Sequence, residues 1–229
     1  MDRIERYRTR FTLIELLAVV ALISLLMAIG VPAFSRMIRG SRVDECARNI
    51  KLGLEQAQMR AASERRYVAV IFPNGSGVND AVKPYRLGGF RTAYVKKNGT
   101  DYDFVGWVDG SAWSNAPNGA ILVKAVASTG DIPSADSGLT GGPTGMDNDL
   151  TGVGNLQTVK TVKDDSGGDL GDSSAIIFKS YGGVVSDSKL YLIVSEAVVD
   201  GTDIKYPNPN MNFKVLKINN LTGRVEFYE

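Results

Sequence analysis

The chain has 229 residues, with 26 Lys and Arg against 25 Asp and Glu, so its formal net charge is +1. Such balance argues against a dedicated nucleic-acid binder, which carries a basic face. There is no histidine, which removes the commonest general base and metal ligand, and the single cysteine, Cys46, cannot form an intrachain disulfide.

Residues 1–10 form a basic leader, in which Arg3, Arg6, Arg8 and Arg10 outnumber Asp2 and Glu5. A basic flank favours the cytoplasmic side of a membrane. Residues 11–34, FTLIELLAVVALISLLMAIGVPAF, are an almost unbroken apolar run whose only ionisable residue is Glu15. About 20 apolar residues suffice for a helix to span the hydrocarbon core, so this segment is expected to be a transmembrane helix. A central carboxylate there costs about 2.5–3.5 kcal/mol, less near an interface, which makes it a functional candidate. Glu15 either rests at headgroup depth or awaits a cationic partner on another protein, an attraction that hydrocarbon screens weakly. Gly30 and Pro32 are expected to break or kink the helix, since proline removes a donor and clashes with the preceding turn. A secretory signal peptide is the rival reading, with small residues at Ala28, Gly30 and Ala33; the length of the run and Glu15 within it count against that.

From 35 to 66 the pattern becomes amphipathic. Val43, Ala47, Ile50, Leu54, Ala57 and Ala61 recur at spacings of three and four, one face of a helix. One helix is expected from about Phe11 to Glu64, with an apolar stripe on its second half that a sheet must cover. Cys46 falls in this pattern as a small buried residue.

Residues 67–229 are expected to form a β-rich head. Strand-like runs occur at Tyr67–Phe72, Tyr85–Leu87, Arg91–Lys96, Phe104–Val108, Ile121–Val126, Ala175–Phe178, Lys189–Val194 and Phe213–Ile218, and Arg224–Tyr228 completes a hairpin around 219–223. A helix followed by many short strands predicts an α+β fold, a long N-terminal helix packed on an antiparallel sheet or sandwich. Between them, 128–174 is rich in Gly, Asp, Ser and Thr and reads as a long exposed loop.

Three clusters could carry chemistry. Asp147, Asp149 and Thr151 begin a calcium-loop pattern closed by Gly152, but Thr158 stands where a bidentate acid belongs. Calcium is therefore a weak candidate, and no other cofactor is implied. Asp164, Asp165, Asp169 and Asp172 read as a flexible acidic loop rather than paired catalytic carboxylates. Lys96 and Lys97, with Arg91 and Tyr94, form a small basic–aromatic patch of the kind that stacks a single nucleic-acid strand, although the acidic end of the chain disfavours nucleic acid as a partner. No enzymatic activity is expected.

The string Phe11-Thr12-Leu13-Ile14-Glu15-Leu16-Leu17, with its basic leader and following apolar run, resembles the N-terminus of type IV pilins and type II secretion pseudopilins. That resemblance implies cleavage by a prepilin peptidase before Phe11, methylation of the new amine, and a Glu15 that neutralises a neighbour's amine during filament assembly. Arg10 departs from the glycine that the family has before the cut. Downstream, 54–62 leading into Tyr67–Phe72, Ile176–Phe178 with Gly182-Gly183, and the final Thr222-Gly223-Arg224-Val225 resemble the GspH/FimT type of minor pilins and pseudopilins. The implied role is a structural subunit anchored once in the inner membrane, its head extracytoplasmic, with other pilins, prepilin peptidase and membrane lipid as partners. The alternatives are a stand-alone membrane-anchored binding module and a DNA-binding minor pilin.

Overall fold

In the computed structural model of the chain the described residues are 12–73, 85, 88–117, 119–132, 156–200, 203–205 and 212–228, with the backbone alone considered at 29, 31–40, 198–200 and 203–205. The chain divides into two compact units, Met1–Arg39 and Gly40–Glu229. One helix, α1 (Leu13–Glu64, 52 residues), is followed by β1 (Tyr67–Phe72), β2 (Arg91–Asn98), β3 (Asp101–Trp107), β4 (Ala120–Val126), β5 (Gln157–Lys163), β6 (Asp169–Phe178), β7 (Leu190–Glu196), β8 (Val198–Asp200), β9 (Asp203–Lys205), β10 (Phe213–Ile218) and β11 (Val225–Tyr228). The fold class is α+β.

The helix is uninterrupted through Gly30, Val31 and Pro32. The backbone is helical at both residues where a break or kink is expected; a proline deletes one donor from the ladder without having to end the helix. At its far end Arg65 takes φ 53° and the Arg66 N–H donates to the Ala61 carbonyl at 3.3 Å. This is a Schellman cap, built on arginine where glycine is usual.

In the second unit β1, β2, β3, β5 and β6 close into a barrel, and β11, β10, β7 and β4 form a separate four-stranded sheet. All the pairings are antiparallel except β3 with β5, which run parallel with Tyr102 opposite Val159 and Asp103 opposite Lys160. The expected antiparallel sheet or sandwich is thus corrected to a barrel beside a sheet. Strand β1 shows why. It is buried on both faces, so Ala69 and Ile71 fill the barrel while Val68, Val70 and Phe72 face the core that α1 shares. Strand β6 does the same with Ala175 and Ile177 inside and Ile176 and Phe178 outside.

The expected loop at 128–174 is also corrected, because β5 and most of β6 lie within it. Their few apolar residues, Val159, Val162, Leu170 and Ala175, are enough to line a narrow barrel already holding Ile71, Val95 and Tyr102. Val159 and Val162 both point inward although three residues apart, because the register shifts between them and Thr161 adopts φ 55°. Such a bulge re-aims a side chain at the cost of one strained residue.

Every residue of the helical stripe, from Val43 to Ala61, is at most 2 % exposed. It shares one core with the outer faces of β1 and β6 and with Leu122, Leu192 and Leu216 of the four-stranded sheet. Burying a side chain such as Leu54 contributes about 2 kcal/mol. Cys46 lies in the same stripe, and burial, aided by Glu45, pushes its thiol up to about 12, so it behaves as a small apolar residue. Two glycines permit close approach: a Cβ on Gly53 would fall 2.2 Å from the Phe90 ring, and one on Gly223 (φ 71°) would fall 2.0 Å from the Gly182 carbonyl.

Candidate functional site

The first turn of α1 is closed by its own side chains. Thr12 is the N-cap residue: its hydroxyl accepts the Glu15 N–H at 3.3 Å, while Glu15 Oε2 accepts the Thr12 N–H at 3.2 Å and lies 3.2 Å from the same hydroxyl. The Leu16 N–H then donates to the Thr12 carbonyl as the first helical bond. This reciprocal arrangement is a capping box, which satisfies donors that a helix start otherwise leaves bare. The T-x-x-E spacing announces it in the sequence, ahead of any role in assembly. Glu15 therefore sits exposed at the head of the helix with a local partner already in hand.

Beyond it, Leu13, Ile14, Leu16, Leu17, Val19, Val20, Leu22, Ile23, Leu25, Leu26 and Met27 are all 45–81 % exposed. These positions go right round the helix, so no face of it is covered. The one hydroxyl among them, Ser24, donates back to the Val20 carbonyl at 2.8 Å, which hides its polarity within the helix. Among the described residues no helix is long and apolar enough to cross a membrane; the continuous described side chains of this run end at Ala28, short of the ~20 residues a span requires. Arg10 and Phe11 lie outside the described residues.

In the second unit the acidic residues of β6 and of the turn before it are tied into hydrogen bonds and ion pairs, which corrects the flexible-loop reading. Asp164 accepts hydrogen bonds from the Ser166 and Gly168 N–H groups at 2.9 and 2.6 Å, and these, with the Ser166 hydroxyl, hold its pKa below the ordinary value. Asp165 receives the guanidinium of Arg91 at both oxygens, 2.9 and 3.0 Å, and Arg91 keeps that carboxyl ionised to lower pH. Asp172 binds the Lys160 ammonium at 2.7 Å and the Thr161 N–H at 3.1 Å, with the same downward effect. The strained residue of the bulge is thus tied down by a carboxylate. Asp169 accepts the Gly171 N–H at 2.8 Å.

Arg91 itself is only 8 % exposed and lies over the Trp107 ring at 4.3 Å. Trp107 and Trp113 meet edge to face at 5.3 Å, and Tyr85 stacks on Trp113 at 5.4 Å. Arg91 is therefore sequestered and does not join Lys96, Lys97 and Tyr94, a second correction. Its place beside them is taken by Arg66, whose guanidinium lies 5.1 Å from the centre of the Tyr94 ring. Arg66, Tyr67, Tyr94, Lys96, Lys97 and Val105 line an open groove of about 430 Å³. A hollow of about 460 Å³ opens between the helix, at Gln56, Met59 and Ser63, and the turn at Asp109–Ser111, with Thr92 also in its lining.

Asp147, Asp149 and Thr151 lie outside the described residues, and among those described no three His, Cys, Asp or Glu side chains stand close enough to hold a metal ion.

No family model matches the chain, and no curated protein matches it. Among solved structures it is similar to the crystal structure of the type IV minor pilin FimU of Pseudomonas aeruginosa (strain PAO1), at 11 % identity and a TM-score of 0.37, over 82 % of this chain and 90 % of that one. A score that low does not establish a common fold.

Proposed function

We propose that the chain is a pilin-like structural subunit that works by position and not by turnover. The observation that carries this is the first half of α1, where large apolar side chains are exposed on every side of a capped helix. A surface of that kind exceeds by far the apolar patch that a soluble monomer shows to water, so its partners are apolar: lipid before assembly, and the same helix of neighbouring subunits after it. In this reading residues 11–34 anchor the chain once in the inner membrane, and the head is held on the extracytoplasmic side. Prepilin peptidase cuts between Arg10 and Phe11, the new amine is methylated, and the subunit enters a type II secretion pseudopilus or a type IV pilus as a minor component of the GspH/FimT type. Glu15 exchanges its Thr12 contact for the amine of a neighbour and so sets the register between helices.

The capping box favours one competing reading, a stand-alone anchored binding module in which Glu15 only starts the helix. Glutamine at the same position keeps a capping box but has no charge. Under the assembly reading Glu15→Gln inserts into the membrane normally yet fails to enter filaments, while Thr12→Ala, which loses the cap at about 1 kcal/mol, still enters. Equal incorporation of Glu15→Gln and the parent chain would leave the anchor reading standing. The mass of the membrane-extracted N-terminus checks processing: a methylated Phe11 start is expected, and an intact Met1 start would mean that Arg10 blocks the cut.

A further inference from the structure

The groove at the end of α1 has no role in the anchor or in the register of helices. Its floor is the Tyr94 ring and Val105, which is 58 % exposed where the β2–β3 register slips. Around the floor stand Arg66, Lys96 and Lys97, with Arg65 next in sequence. Among the described residues neither Lys96 nor Lys97 has an ion-pair partner. The acids nearby are already engaged. Glu64 pairs with Arg60 at 3.5 Å, and Asp103, across the ladder from Lys96, accepts the Asn98 amide at 2.8 Å. The surface is thus an apolar strip edged with cations, suited to an extended acidic segment that carries some apolar side chains.

The longest stretch of the chain without a cation has that chemistry. From Ala125 to Val159 there is no Lys or Arg, while Asp131, Asp136, Asp147 and Asp149 are spaced along it among Leu139, Met146 and Leu150. We infer that the groove of one subunit receives the acidic segment around 136–150 of a second copy. The two surfaces differ, so the contact is heterologous: each copy offers a groove to one neighbour and a segment to the next. That is the geometry that propagates along an open assembly and does not close on itself. The inference rests on the assembly reading above, but it concerns the heads and can fail by itself.

The test uses the full chain in lipid nanodiscs or detergent, with a photoreactive p-benzoylphenylalanine replacing Val105. Irradiation is expected to give a covalent dimer whose linked peptide, by mass spectrometry, falls within 127–155. Lys96→Glu with Lys97→Glu in the linker-bearing copy is expected to lower the dimer yield about tenfold at low salt, and less at high salt, since exposed charges are screened. Mixing that copy with one bearing Asp147→Lys and Asp149→Lys is expected to restore the product, which only a contact between chains can do. Linkage confined within one chain would overturn the inference, as would a linked peptide elsewhere or displacement of the product by a single-stranded oligonucleotide that binds the groove. Should copies associate in a Glu15-dependent way with no product from Val105, the groove assignment falls and the assembly reading stands.

Discussion

Between Leu13 and Met27 every large apolar side chain of α1 is at least 45 % exposed, whereas from Val43 to Ala61 the apolar stripe of the same helix is at most 2 % exposed. The sequence pattern differs in step. The first stretch is apolar at almost every position, and the second keeps a buried stripe at spacings of three and four, with Leu52 and Met59 exposed off it. A helix that is apolar all round must find its cover outside the chain, while an amphipathic one carries its cover with it as a packed domain. The contrast teaches that helix formation and burial are separate requirements: one ladder runs through both stretches, and only the second is covered by the chain itself.

The largest effect expected from that contrast is a pair of matched truncations. Leu54→Ala should destabilise the second unit by about 2–5 kcal/mol in denaturant unfolding of the detergent-solubilised chain, and Leu17→Ala should leave that transition in place. Equal effects at the two sites would break the comparison. Next comes the turn that seats the β10–β11 hairpin against 182–183. Gly223→Ala meets a carbonyl and a left-handed backbone together, and should cost about 2–3 kcal/mol by the same measurement.

Acid should act on the second unit through β5, β6 and their turn. Arg91, Lys160 and the Gly168 N–H depress the carboxyls of Asp165, Asp172 and Asp164 respectively. Groups with a lowered folded pKa contribute stability that is fully present above the unfolded value, about 3.9 for Asp, and that is lost as pH falls through the folded values. Hydrogen exchange should therefore show β5 and β6 opening first below about pH 3.9, with the stripe from Val43 to Ala61 still protected. Asp165→Asn should remove part of that pH dependence and lower stability at neutral pH as well, because the Arg91–Asp165 contribution present there is lost with the charge. The smallest effect is a gain. Arg65 holds a left-handed conformation at the end of α1, so Arg65→Gly should stabilise the second unit by about 1 kcal/mol.

Much of this architecture is legible in the residues, and the gaps have physical causes. Strands β1 and β10 follow from their β-branched and aromatic runs, and the helix and its stripe follow from periodicity. Strands β5 and β6 do not, since Thr161 bulges out of the alternation and glycine, serine and aspartate fill positions where a narrow barrel asks for little volume. Closure of the barrel by a parallel pair depends on distant contacts that no local pattern encodes. At the candidate site, the apolar run and Glu15 stand out at once, while the capping box was there to be read in T-x-x-E. The pairing of Arg91 with Asp165, 74 positions apart, and the replacement of Arg91 by Arg66 beside Lys96 are visible only once the strands are in place.

The account turns on the first half of α1 being covered by lipid or by sister helices. Flotation of the purified full chain with liposomes in a density gradient tests this most directly. The account predicts that the full chain rises with the lipid, while a chain beginning at Gly40 stays at the bottom as a folded species. A full chain that remains at the bottom, monomeric and without detergent, would contradict it.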